Sequence, residues 1–278
     1  MRIQFIRSFG RPAWLLALAV ATLFAAPVQA QIGDVGHLIP QSTAQRYGLT
    51  RAWFTQAALD RNRTRVGSWA LQGDTLFVQT TQNIVQAIAA ETGRTLWTTQ
   101  VGEPGKPTGP ISASASAVGV VNGSWVYLLN RQNGQVLWQR EMESIPLGGV
   151  AVTDQWVYIP MSNGRMRAIP FINPDSKLEP WWRGTAGRIE DAPIATQTCV
   201  IWNNDRGLLL ASELDKSHLI FQFETNRPMT APLAYWPPYA FMVERQFVFA
   251  VDVNQKRSQG RMAWQFSPGG RISQAPVA

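Results

Sequence analysis

The chain has 278 residues, 45% hydrophobic and 15% charged, so it is long and apolar enough to bury a substantial core. Its formal net charge is +7, but the lysines and arginines are scattered rather than clustered, which argues against a nucleic-acid surface. One cysteine, Cys199, excludes an internal disulfide. Two histidines, His37 and His218, speak against a histidine-based zinc site or a Ser-His-Asp triad.

In chain order, residues 1–30 read as a signal peptide. Arg2, Arg7 and Arg11 form a basic start, Trp14 to Ala26 an apolar run too short for a stable membrane span, and Val28-Gln29-Ala30 a small-residue cleavage site. No cysteine lies near that cut, so lipid attachment there is not expected. Residues 31–64 form an N-terminal segment, and residues 65–278 carry the repeats. Within the segment, Gly48-Leu49-Thr50-Arg51-Ala52-Trp53 matches the glycine-to-tryptophan end of a repeat, so Tyr47 to Gln56 reads as the outer strand of a closing blade. Ala52, Phe54, Ala57, Ala58 and Leu59 equally suit an amphipathic helix over residues 51–63, and the sequence leaves both readings open.

From residue 65 the chain alternates short apolar strands with Asn/Gly turns. Trp69-Ala70-Leu71, Thr75 to Gln79, Ile84 to Ala89 and Arg94 to Gln100 predict four strands, the last ending just past Trp97. Glycine at Gly93, and Asn-Gly at Asn133-Gly134 and Asn163-Gly164, supply the positive φ of tight hairpins. The same succession recurs to Trp138, to Trp181-Trp182, to Phe221 in place of a tryptophan, and to Trp264. Counted through Trp182, the steps from Trp97 are 41, 44, 39 and 43 residues, and 44 separate Trp53 from Trp97. A period near forty built of four short strands predicts an all-β propeller of four-stranded antiparallel blades. Five repeats are recognisable. Arg271 to Ala278 opens like a sixth, shared with the N-terminal segment or truncated.

Ala87, Thr92, Gly93 and Trp97 resemble the A-x-D-x-x-T-G-x-x-x-W signature of the pyrroloquinoline-quinone-like (PQQ-like) β-propeller repeats, with Ala89 in place of the aspartate. Leu128, Asn130, Asn133, Gly134 and Trp138 form a weaker copy, Ala211, Glu213 and Phe221 a degenerate one, and Ala250, Asp252, Gly260 and Trp264 one with extra residues. The resemblance implies that Trp53, Trp97, Trp138, Trp182, Phe221 and Trp264 are structural residues that dock between neighbouring blades against small residues. Two branches share these repeats, the quinoprotein dehydrogenases and the cofactor-free BamB-like propellers. The first branch is implied to need a vicinal cysteine pair, a calcium held by carboxylate and amide oxygens, and an aspartate base. One cysteine cannot make the pair, and Glu141/Glu143, Glu190/Asp191 and Glu213/Asp215 lack the spacing of a calcium site and read as solvated strand ends.

No catalytic, cofactor-binding or metal-binding residue is therefore assigned. Gly102 to Gly109 lacks the glycine-lysine-threonine order of a phosphate loop and reads as a blade connector, and Cys199 as a buried small side chain. Tyr235-Trp236-Pro237-Pro238-Tyr239 is a stiff aromatic segment whose Trp236 and Tyr239 are the candidate partner contact; Glu179 to Arg183 is a second aromatic stretch. The expectation is an exported, non-catalytic scaffold, periplasmic or secreted, that binds envelope proteins through blade loops or strand edges, with outer-membrane protein assembly as one version. The alternatives are a degenerate PQQ-binding quinoprotein and a ligand-binding sensor propeller.

Overall fold

A computed structural model describes residues 39–57, 64–171, 177–225, 227–254, 260–274 and 276. The predicted signal peptide and His37 lie outside the described residues. The chain divides into two compact units, Met1–Thr50 and Arg51–Ala278. In the first, the short helix α1, Gln41–Arg46, buries no residue.

The second unit holds five four-stranded antiparallel sheets, each a simple meander. Blade 1 comprises β1 (Val66–Gln72), β2 (Thr75–Thr80), β3 (Ile84–Ala89) and β4 (Thr95–Gln100). Blade 2 comprises β5 (Ser112–Ala113), β6 (Ala117–Asn122), β7 (Trp125–Asn130) and β8 (Val136–Glu141). Blade 3 is built from β9 (Ala151–Val152), β10 (Trp156–Pro160), β11 (Arg165–Pro170) and β12 (Trp181–Gly184). Blade 4 contains β13 (Ile194–Ala195), β14 (Cys199–Asn203), β15 (Leu208–Glu213) and β16 (Leu219–Glu224). Blade 5 contains β17 (Ala234–Trp236), β18 (Tyr239–Glu244), β19 (Phe247–Asp252) and β20 (Arg261–Phe266). The five repeats read from the sequence are these five sheets.

An interior blade must be apolar on both faces, because each face meets another sheet. Strands β6 (AVGVVN), β10 (WVYIP) and β14 (CVIWN) are accordingly buried along their whole length. Alternation then sends successive side chains to opposite junctions. Phe77, Val85 and Ala87 of blade 1 pack against Val118, Val120 and Leu129 of blade 2. Val126 and Leu128 of blade 2 turn the other way, to Val157 and Ile159 of blade 3. Two further clusters join blade 3 to blade 4 and blade 4 to blade 5.

Connectors repeat as regularly as strands. The residue just beyond each of β4, β8, β12 and β16 donates its backbone N–H to the turn between the two middle strands of the blade it leaves. The pairs are Val101 to Asn83, Met142 to Ser124, Thr185 to Gly164 and Thr225 to Gly207, at 2.9, 2.9, 2.9 and 3.0 Å. Gly102 to Gly109 belongs to such a connector. Asn83 Nδ2 donates to Glu103 O at 2.8 Å and Asn122 Nδ2 to the same oxygen at 2.8 Å, so two buried amides fix the loop.

The expected sixth blade is not a sheet among the described residues: residues 51–57 and 267–274 carry no strand. Nor are residues 51–57 helical. A single extended segment has no ladder to complete when no described strand lies beside it. The tail nevertheless follows the connector path past blade 5, with Ile272 N–H donating to Arg245 O and Thr230 Oγ1 to Ile272 O.

Candidate functional site

The repeat residues build one recurring seat. In blade 1, Trp97 pairs across the ladder with Ala87, whose small side chain leaves the indole room. The ring reaches blade 2, where Nε1–H donates to Arg131 O at 2.8 Å. It also covers Gly134, whose φ is +72° and where an added Cβ would lie 2.5 Å from Trp97 Cε3. Thr99 Oγ1 donates to Gly134 O at 2.9 Å and closes the seat. The glycine is thus required twice, for its left-handed backbone and for its bare α-carbon.

Trp53 makes the same contact one blade earlier. Its Nε1–H donates to Ala90 O at 2.7 Å, and a Cβ on Gly93 would lie 2.6 Å from its ring. The N-terminal segment therefore puts an indole where the outer strand of a preceding blade would put one. At the blade 4 junction Phe221, opposite Ala211, is fully buried and would meet a Cβ on Gly260 at 2.8 Å. Phenylalanine has no N–H to give, and the junction is instead bonded by Gly260 N–H to Gln222 O at 2.7 Å. Trp138, opposite Leu128, is half-buried against the blade 2–blade 3 cluster.

Blade 3 corrects the sequence reading. Trp181, not Trp182, sits opposite the small residue Ala168 and donates Nε1–H to Leu214 O at 3.1 Å. Trp182 is 56% exposed, with the Arg165 guanidinium 4.5 Å from its ring centre. Strand alternation forces the choice, since adjacent residues face opposite ways. With Trp181 the steps from Trp97 become 41, 43, 40 and 43 residues, a more regular series.

The signature's polar positions cap turns. Asp252 Oδ1 accepts from Asn254 N–H at 2.9 Å, and Asn130 Oδ1 from Gln132 N–H at 2.8 Å, each at the end of its blade's third strand. Thr92 is exposed, and its hydroxyl accepts from Arg94 N–H at 3.4 Å. These residues shape hairpins and bring no reactive groups together.

The remaining candidates are dispersed. Glu143 pairs with Arg167 at the surface, Glu141 accepts from Ser124, and Asp191 accepts from Asn203. His218 is exposed beside the β15–β16 turn. Among the described residues no three His, Cys, Asp or Glu side chains gather to hold a metal. Cys199 is buried with its sulfur 3.3 Å from Thr196 Oγ1, and burial pushes its thiol up, away from the nucleophilic thiolate. Burial above all, then the nearby Asp215 charge, also raises Tyr158, whose hydroxyl donates to Leu214 O at 3.0 Å.

Large apolar side chains are left exposed on parts of two outward blade faces among the described residues. On blade 5, Trp264 pairs with Ala250 and lies 5.9 Å from Phe241, yet is 44% exposed. Trp236 and Tyr239, the predicted contact pair, are ladder partners flanking the Pro237-Pro238 turn at the inner corner of this face. Trp236 is 59% exposed and Tyr239 half-buried against Phe241. On blade 1 the outward side of β1 exposes Val66, Trp69 and Leu71, with Trp69 at 67%. Sequence reading missed this second face, although the unbroken alternation of Trp69 and Leu71 with Ala70 was its signal.

These features have relatives. The family model for "Outer membrane protein assembly factor BamB" matches residues 50–140 and 122–265. The chain belongs to this PQQ-like, BamB-type repeat family. A BamB from Yersinia pestis is 29% identical over 168 residues, 55% of this chain and 42% of that protein. Among solved structures, BamB from Moraxella catarrhalis aligns with a TM-score of 0.51 at 18% identity, covering 71% of this chain and 62% of that one. A computationally designed protein, Ika8, aligns at 0.59 and 11% identity over 77% and 65% of the two chains. A chain of the mitotic checkpoint complex aligns at 0.62 and 10% identity over 77% and 69%. The chain thus spans less than two thirds of the length of both BamB proteins, and likeness at such low identity speaks to the propeller fold alone.

Proposed function

We propose that this protein is an exported, non-catalytic propeller that holds partner proteins in the periplasm or cell envelope, with outer-membrane protein assembly as its setting. The observation that carries the reading is the family match across the blades, residues 50–140 and 122–265. The chemistry of the described residues agrees with it. Trp97, Trp181 and Phe221 serve blade junctions, the one thiol is buried and its ionisation opposed, and carboxylates are paired or solvated at blade ends. Exposed aromatics beside a rigid turn, as at Trp236 and Tyr239, are the residue types that dominate interface energetics.

Crosslinking in intact cells, followed by mass spectrometry, tests this reading. The expected products are envelope proteins, lost in a Trp236→Ala/Tyr239→Ala double variant that melts at the wild-type temperature. Cytoplasmic partners, or no loss in the variant, would count against it. A second arm addresses the quinoprotein alternative. Purified protein mixed with pyrroloquinoline quinone and calcium is expected to leave the quinone absorbance and the melting temperature unchanged, and a shift in both would replace scaffolding with cofactor binding.

A further inference from the structure

The connector from blade 4 to blade 5 differs in charge from the one between blades 1 and 2. In blade 2 the last residue of β6 is Asn122, whose amide donates to Val101 O and Glu103 O and so fixes the connector entering that blade. The same place at the end of β18 is held by Glu244, 4% exposed, whose carboxylate accepts from Arg227 Nη1 at 3.2 Å. Arg227 stands in its connector where Glu103 stands in the earlier one, two residues past the anchoring N–H of Thr225 or Val101. A buried carboxylate costs more to desolvate than an amide, and its arginine partner is itself 66% exposed, so stability does not account for the exchange. What the carboxylate does is hold a guanidinium in place.

Two further arginines, Arg245 and Arg271, line the same cleft, whose volume is about 980 Å³. That lies within the range of small-molecule sites, about 300–1,000 Å³. Arg245 follows Glu244 with φ +46°, where the same turn of blade 2 has Gly123 at +62°. Backbone geometry alone would favour glycine in both turns. Arg271 comes from the segment after β20. Thr230 ties the parts together, its Oγ1 accepting from Arg245 N–H at 2.9 Å and donating to Ile272 O at 3.2 Å. Among the described residues neither Arg245 nor Arg271 pairs with a carboxylate, and Glu244 is the one acidic side chain in the lining. Gly269 and Gly270 complete the wall, and a Cβ on either would meet nothing within 4 Å, so a ligand can approach bare main chain there.

We propose that this cleft binds a phosphoryl group, with Arg245 and Arg271 as its principal cationic contacts and Arg227, set by Glu244, as the third. The charge balance decides the class. Three arginines against one carboxylate leave a surplus of two positive charges. A carboxylate ligand brings one negative charge and two oxygens, whereas a phosphate monoester brings about two charges and three acceptor oxygens near neutral pH. Guanidinium forks hold such oxygens through paired, charge-assisted hydrogen bonds. The cleft is far larger than a phosphate, and the remaining space beside Pro228 and Phe247 takes the group that carries it, a lipid or a soluble phosphate ester.

Isothermal titration of the purified protein with inorganic pyrophosphate is the test. Wild type is expected to bind one pyrophosphate per chain. Arg245→Gln and Arg271→Gln each weaken binding about tenfold, and the two together about a hundredfold. Arg140→Gln, which removes the same charge from an exposed position on β8, leaves the affinity unchanged. Glu244→Gln weakens binding although it makes the cleft more positive, because Arg227 loses its anchor; Arg227→Gln serves in its place should that variant melt early. No binding by wild type overturns the proposal, as does an equal loss in Arg140→Gln. Citrate binding as tightly as pyrophosphate overturns the phosphoryl class, and tighter binding in Glu244→Gln overturns the positioning of Arg227. Flotation with phosphatidylcholine vesicles, with and without phosphatidic acid, separates the two sources. Co-flotation that needs both phosphatidic acid and the Arg245/Arg271 pair assigns a lipid headgroup, and pyrophosphate binding without co-flotation assigns a soluble phosphate ester. None of these readouts depends on envelope partners, so the assembly reading can fail while this one stands.

Discussion

Trp97 and Trp264 occupy the same place in their blades and differ in what lies beyond them. Each faces an alanine across the ladder, each has a phenylalanine 5.9 Å away on the second strand, yet Trp97 is 8% exposed and Trp264 44%. The comparison teaches that a blade assembles its own aromatic cluster. The next blade adds burial, a carbonyl acceptor and a bare glycine on which the ring can lie. The energy of the junction therefore resides in the second half, which Trp97 has and Trp264 lacks.

The largest effect that would break this comparison is Trp97→Ala, expected to cost about 3–5 kcal/mol in urea unfolding, the range for large aromatics removed from a core. Trp264→Ala is expected to cost less than about 1 kcal/mol in monomeric protein, because a half-exposed ring loses little on truncation. Equal losses at the two sites would contradict the account. Within blade 3 the same logic sharpens to neighbours: Trp181→Ala should destabilise by about 3 kcal/mol or more and Trp182→Ala by about 0.5 kcal/mol.

Gly134→Ala probes the receiving side. The new methyl meets the Trp97 ring 2.5 Å away and the backbone stays at φ +72°, so a loss of about 1–3 kcal/mol is expected. Gly105, also at positive φ but with nothing within 4 Å, isolates the backbone part; Gly105→Ala should cost about 1 kcal/mol.

The smallest effect concerns pH. Tyr158 has its pKa raised by burial, so the folded state keeps the proton while the unfolded chain releases it near its ordinary value of about 10. Its contribution is complete below that pH and drains away as pH rises above it. Stability should fall on the alkaline side, and Tyr158→Phe should flatten that fall while losing about 1 kcal/mol at neutral pH with the Leu214 hydrogen bond. An alkaline limb identical in the variant would remove Tyr158 from the explanation.

The fold was legible because the seat leaves a double mark, a large aromatic at one end of the repeat and a positive-φ glycine in the next. Gly93, Trp97, Gly134 and Trp138 could be read directly. The choice between Trp181 and Trp182 could not, since it turns on which residue faces Ala168, a matter of register set by the ladder. The status of the last blade was equally hidden. Trp264 looks in sequence like every other docking tryptophan, and only the arrangement of blades reveals that it is 44% exposed, with no blade among the described residues laid over it. Trp236 and Tyr239 could be picked out as a stiff aromatic turn, but their place at the corner of an open face depends on the pairing of β17 with β18.

Exchange of the indole N–H protons, followed by NMR on protein labelled at tryptophan nitrogen, addresses the central claim most directly. The nitrogens of Trp97 and Trp181, bonded to carbonyls of the next blade, should exchange slowly, and those of exposed Trp69, Trp182 and Trp236 fast. Trp97 and Trp181 exchanging as quickly as Trp182 would mean that aromatic docking does not join these blades.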